Sequence, residues 1–190
     1  MSKSLIPRDG ALTLSQKMRQ GMADIRQEKS IMKAQEGIVF LLDVSGSMSD
    51  IVEHKPKISH LREVMQEYQS NRKVSFSGYV WENQIPEPQS NTDMALGFRH
   101  MQTVMPKPTA IVLISDGLPD SPESAIQEAL ALHIPVNIIY IGEKGDEGEA
   151  FMKKLASLTG GREFTAEPAK QQFAQQLRAG IAGLLPAGRG

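Results

Sequence analysis

The 190-residue chain contains no cysteine. That absence excludes disulfide frameworks, thiolate zinc sites, iron–sulfur ligation and a thiol nucleophile. Aromatic residues are scarce at 5 %, with Trp81 the sole tryptophan, and the 10 methionines are expected as gap-filling core residues. No stretch approaches the ~20 apolar residues needed to span a bilayer. Nor does one sign of charge dominate: 21 Lys+Arg against 22 Asp+Glu give a net charge of -1, without the basic excess of a dedicated nucleic-acid binder. Met1 to Gly10 are polar and lead into no apolar segment, so no signal peptide is expected and a cytosolic setting is the expectation.

What is present is an alternation of strand and helix signals. Gly37–Val44, Thr109–Ser115 and Pro135–Ile141 are nearly unbroken apolar runs, the pattern of strands buried on both faces. Val74 to Val80 alternates apolar and polar residues at strand spacing, with Trp81–Pro88 as a stub of a further strand. Helical spacing recurs over Lys57–Tyr68, from Met94 to Met105, and after the Ser121-Pro122-Glu123 start signal, where Ile126, Leu130 and His133 mark a face. It returns at Phe151–Leu158, which ends at Gly160-Gly161, and over about Lys170–Leu185, whose Ala/Gly-rich end predicts weak packing; Arg162–Thr165 fits an edge strand. Such repeated units predict an α/β fold, Rossmann-like and doubly wound, with a mostly parallel central sheet and helices on both faces. Residues 1–36 read as an N-terminal helical extension with a Leu14, Met18, Met22 and Ile25 stripe; 37–186 form the main domain and 187–190 a tail. The extension carries 7 Lys/Arg and 4 Asp/Glu, and either packs on the domain or docks on another protein.

In a doubly wound sheet, function gathers at the carboxyl ends of the strands, where strand order reverses. The first buried run ends in Asp43-Val44-Ser45-Gly46-Ser47 and the second in Ser115-Asp116-Gly117, with Asn91-Thr92-Asp93 opening a helix between them. Carboxylates and hydroxyls are hard oxygen donors, suited to Mg²⁺, Ca²⁺ or Mn²⁺ and poor for zinc or copper.

Together these residues resemble the von Willebrand factor A domain family and its metal-ion-dependent adhesion site. Asp43, Ser45 and Ser47 match its Asp-x-Ser-x-Ser signature, Thr92 its helix-leading threonine, and Asp116 with Gly117 its later Asp-Gly. The resemblance covers roughly residues 37–185. It implies a divalent cation, Mg²⁺ by default with Mn²⁺ or Ca²⁺ open, held by Asp43, Ser45, Ser47, Thr92 and Asp116, and a coordination position reserved for an Asp or Glu of a protein partner. It further implies an adaptor or regulator in a bacterial-type intracellular complex, since compact, stand-alone members work beside AAA+ ATPases or in stress and tellurium-resistance systems. In some relatives, ligand at the metal couples to sliding of the last helix. Between Ser47 and Thr92 the chain is short for the family, as though the second-to-third strand hairpin were trimmed.

Each component also has a plainer explanation. Asp and Ser are common turn residues; Asp93 is expected to cap its helix and Asp120 to shape a turn beside Pro119. His54, His60, His100 and His133 lie apart without ligand spacing and are expected at the surface or its boundary. Gly142, Gly145 and Gly148 have the wrong spacing for a nucleotide loop and are expected in a flexible one. Two rival functions follow from the same residues. One is a Mg²⁺-dependent phosphohydrolase of haloacid-dehalogenase type, disfavoured by Ser45 where that chemistry needs a second Asp and by no evident helical Lys near the later Asp. The other is a structural subunit that binds through its N-terminal helix. A serine hydrolase is weaker still, because Val44-Ser45-Gly46-Ser47-Met48 is not Gly-x-Ser-x-Gly. With no complete catalytic constellation, the expectation is a non-enzyme that contacts neither nucleic acid nor membrane.

Overall fold

Residues 37–185 are described in the computed structural model; the helical extension expected over 1–36 and the tail expected over 187–190 lie outside the described residues. The first strand, β1 (Ile38–Asp43), has every residue buried, because helices cover both of its faces. After a short 3₁₀ turn, β2 (Ile51–Val52) and β3 (Lys55–Pro56) form a small antiparallel hairpin. Glu53 and His54 at its tip both have positive φ, which tight two-residue hairpin turns require. The chain continues through α1 (Lys57–Met65), β4 (Arg72–Phe76), β5 (Val80–Glu82) and α2 (Met94–Met101). It then alternates through β6 (Ala110–Ser115), α3 (Pro122–Ala131), β7 (Val136–Ile141), α4 (Glu147–Thr159), β8 (Glu163–Ala166) and α5 (Phe173–Leu184).

The six-stranded sheet has the order β5-β4-β1-β6-β7-β8, and all neighbours are parallel except β4 and β5. The doubly wound, mostly parallel sheet with helices on both faces is thus as expected. From β1 the chain goes first to β4 on one side and later to β6 on the other, so strand order reverses between β1 and β6. Side-chain alternation splits the core in two. Ile38, Phe40 and Leu42 pack with Ile58 and Leu61 of α1 and with Phe173, Leu177 and Ile181 of α5. Val39 and Leu41 pack with Met94 and Phe98 of α2, Ala125 and Ala129 of α3, and Met152 and Leu155 of α4.

Helix ends follow from local chemistry. Asp93 starts α2 by accepting from the Leu96 amide at 2.9 Å, and Asp146 starts α4 by accepting from the Glu149 amide at 2.7 Å. Gly160, with φ +74, ends α4 in the left-handed conformation. Ser121 precedes α3, but its hydroxyl turns to that of Ser124 at 2.8 Å, leaving Pro122 and Glu123 to carry the start.

Several expectations are corrected. Val74–Val80 is not one strand: the chain turns at residues 77–79, and β5 pairs back on β4 through only Val74–Glu82, Ser75–Trp81 and Phe76–Val80. A short hairpin is therefore present, and Trp81 packs partly against the core in edge contact with the exposed Tyr79. The buried face of α3 is Ala125 and Ala129; Leu130 is exposed and His133 lies past the helix end. Small residues there let α3 and α2 approach closely. His60 is buried, its Nε2 2.8 Å from the Val52 carbonyl and its ring edge-on to Phe173. The glycines after β7 wrap a side chain: a Cβ at Gly142 or Gly148 would fall within 2.4 Å of the Tyr140 ring or hydroxyl. Tyr140 itself donates to Asp146 Oδ2 at 2.8 Å. The last helix begins at Phe173, not Lys170, and packs closely, since a Cβ at Gly180 would come within 2.6 Å of Phe164.

Candidate metal centre

At the end of β1 the chain must leave the sheet with an acid buried behind it. Asp43 is fully buried, and both carboxylate oxygens are engaged. Oδ1 accepts from the Ser45 amide at 2.8 Å, which folds the loop back over the strand end. Oδ2 accepts from the Ser115 hydroxyl at 2.6 Å, reaching across to the end of β6. Burial first, and then the Asp116 carboxylate, push the Asp43 pKa from its ordinary 3.8 up to about 6, against the lowering effect of the bonds from Ser115 and Ser45.

From Ser45 a hydrogen-bonded chain crosses the strand-order reversal. The hydroxyls of Ser45 and Ser47 lie 3.1 Å apart, and Ser47 Oγ donates to Asp116 Oδ1 at 2.7 Å. Ser47 is carried outward by the 3₁₀ turn Gly46–Ser49, whose neighbouring loop is held by the Gln89 amide donating to the Val44 carbonyl at 2.7 Å. Asp43, Ser45, Ser47 and Asp116 therefore stand together, as the sequence pattern predicts. Thr92 stands outside this hydrogen-bonded chain. Its backbone amide donates to both oxygens of Asp120 at 3.3 Å, and the Asp120 amide returns a bond to the Thr92 carbonyl at 3.1 Å. Asp120 thus does more than shape a turn beside Pro119: it clips the Thr92 loop to the loop that carries Asp116.

Two further residues complete the site, and sequence reasoning missed both. Ser115, read only as a strand end, is the buried donor to Asp43. Lys57, the first residue of α1, directs its ammonium to Asp116 Oδ2 at 2.8 Å, Asp50 Oδ2 at 3.0 Å and the Ser47 carbonyl at 3.3 Å. Its side chain is 11 % exposed, and that of Asp116 is 0 % exposed. Burial pulls the Lys57 pKa down, but Asp116 and Asp50 outweigh it, so the ammonium is held above its ordinary value. A helical lysine beside the later aspartate, not evident in the sequence, is therefore present. A signal existed in principle: Lys57 follows a Pro at the start of an otherwise apolar helix face, where a charged residue has something to answer.

The donor set can be tested against a hard divalent cation. Among the described residues, no group of three or more His, Asp or Glu is arranged to hold a metal. What is assembled is two carboxylates and two hydroxyls, all oxygen donors. Burial is the larger cause of the raised Asp43 pKa and the Asp116 charge the smaller, and a cation close to both carboxylates would oppose each. By donor chemistry the residues fit a hard divalent cation such as Mg²⁺, Mn²⁺ or Ca²⁺. Beside the site lies a cavity of about 580 Å³ lined by Asp50, Lys57, Asp116, Tyr140, Asp146 and Glu167 among others. No described helix is long and apolar enough to cross a membrane.

No family model and no curated protein matches the chain. Solved structures do. A von Willebrand factor type A protein from Catenulispora acidiphila superposes with a TM-score of 0.58 at 12 % identity, covering 79 % of this chain and 42 % of that one. Proximal thread matrix protein 1 from the mussel byssus superposes with a TM-score of 0.56 at 14 % identity, covering 77 % of this chain and 44 % of that one. The chain thus spans under half the length of either. At such identity the likeness speaks to the fold: a von Willebrand factor A-like arrangement of strands and helices.

Proposed function

We propose that residues 37–185 form a protein-interaction module whose binding site is a divalent cation held by Asp43, Ser45, Ser47 and Asp116, with Thr92 as the fifth ligand that the family resemblance implies. The observation that carries this reading is the hydrogen-bonded chain joining Asp43, Ser45, Ser47 and Asp116 across the strand-order reversal. It supplies hard donors at the point of the sheet where ligands collect. When bound, the cation would supply a Lewis-acidic position for a carboxylate, so the partner is a protein that presents an Asp or Glu. An adaptor or regulatory role in an intracellular complex, including one built on an AAA+ ATPase, is the corresponding biological proposal and rests on family analogy. The chain's own residues do the positioning: Ser115 and the Ser45 amide orient Asp43, and Ser47 orients Asp116.

Titration of the full chain with Mn²⁺, followed by electron paramagnetic resonance of the free ion, tests the reading. Saturable binding that disappears in both Asp43→Ala and Ser45→Ala is expected. Binding unchanged by either substitution overturns it.

One observation favours a second reading. Lys57 beside Asp116 supplies the cation that a Mg²⁺-dependent phosphohydrolase would use to hold a phosphoryl group. Ser45 still stands where that chemistry places its acid/base carboxylate. Turnover of a generic phosphomonoester in Mg²⁺, abolished by Asp43→Asn, would establish the enzyme; its absence leaves the binding module.

A further inference from the structure

Lys57 brings to this site a charge of the same sign as the ion the site is read to hold. Both oxygens of Asp116 are committed, Oδ1 to the Ser47 hydroxyl and Oδ2 to the Lys57 ammonium. A carboxylate with an ammonium on one oxygen is a weakened ligand, because any incoming cation meets that ammonium at close range. The lysine also has somewhere else to go. Its other carboxylate partner, Asp50, is 66 % exposed, whereas the Asp116 side chain is fully enclosed. The cavity on the same side is lined by Asp50, Glu143, Asp146 and Glu167, and by Lys144, which pairs with Glu167 at 3.6 Å, so the carboxylate the ammonium already reaches besides Asp116 is Asp50 at 3.0 Å.

We infer that Lys57 is a tethered competitor for the cation: it neutralises Asp116 until a divalent ion displaces it toward Asp50 and the cavity, and this exchange sets how tightly the ion is held. The inference rests on the metal-site reading above. It assigns the buried lysine to affinity control rather than to the ligand set.

The test uses the full chain, stripped with chelator, and Mn²⁺ as the probe. Wild type is compared with Lys57→Met, Lys57→Gln and Asp43→Ala, and with Asp43→Ala combined with Lys57→Gln. Circular dichroism identifies the folded variants, and Lys57→Gln keeps a polar group at the position if Lys57→Met fails to fold. The expected result is Mn²⁺ affinity raised about tenfold or more in the Lys57 variants, and lost with Asp43→Ala in either background. Affinity equal to or below wild type in the Lys57 variants, with binding still sensitive to Asp43→Ala, overturns the competitor role and leaves the metal site standing. No Asp43-dependent binding in any of the proteins overturns both.

Discussion

Lys57 Nζ and Asp116 Oδ2 lie 2.8 Å apart, joining the start of α1 to the loop that follows β6. The bond spans the place where strand order reverses, so it ties together the two directions in which the sheet is wound. It is also a buried pair, and that sets the cost of removing one partner alone.

Lys57→Met in chelator should lower unfolding stability by about 2–4 kcal/mol, since it leaves an enclosed carboxylate without its ammonium. Adding Asp116→Asn should restore most of the loss by removing the stranded charge. Urea denaturation of the two single variants and the double variant measures this. Equal losses that simply add would show that the two side chains are not coupled.

Asp120→Ala should separate site geometry from folding. Asp120 is exposed, so stability should change by less than about 1 kcal/mol. Its carboxylate holds the Thr92 amide, however, and loosening that loop should weaken Mn²⁺ binding by roughly tenfold, as losing an outer support of a metal site commonly does. Calorimetric titration beside a thermal melt reads both quantities.

Two glycines in α5 should respond oppositely to alanine. At Gly180 a Cβ would lie 2.6 Å from the Phe164 ring, and Gly180→Ala should cost about 1–3 kcal/mol. At Gly183 nothing lies within 4 Å, and Gly183→Ala should stabilise by about 0.5–1 kcal/mol through helix propensity. Chemical denaturation of the pair settles how closely the last helix is seated.

Acid stability should depend on Glu149. Bonds from Lys153, Thr165 and the Gly145 amide hold its pKa below the usual 4.5, at about 2. A depressed carboxylate favours the folded state above pH 4.5, and that contribution fades as pH falls toward about 2. Glu149→Gln should therefore flatten the fall in stability across this window while lowering stability at neutral pH. A slope matching wild type between these pH values would show that other carboxylates carry the effect.

The parts of this protein that repeat were legible in its sequence. Apolar runs announced β1, β6 and β7, and Asp43, Ser45, Ser47 and Asp116 stood where those runs end. The parts that depend on a single distant partner were not. Lys57 carries no periodic signal, and only the fold reveals that the acid it answers lies 59 residues away. Ser115 was hidden because a serine closing an apolar run reads as a strand end. His60 was misplaced because its burial comes from Val52 and Phe173, neither of them a neighbour in sequence. The α3 face was misread because leucine outranks alanine in any hydrophobic pattern, whereas the close approach of α2 selects for the smaller residue. The turn at residues 77–79 was missed because Val74–Val80 keeps perfect alternation through it.

Asp43 and Ser115 sit one rung beyond the Leu42–Ile114 pair, on the same side of the sheet as Leu41 and Leu113. The alternation that sends those leucines inward also aims the acid at its serine. The position of Asp43 is thus set by the interior, while Ser45, Ser47 and Asp116 are positioned by loops. Substitution in the loops 45–50 and 116–120 would therefore leave Asp43 enclosed at the tip of the central strand, because what encloses it is the sheet itself.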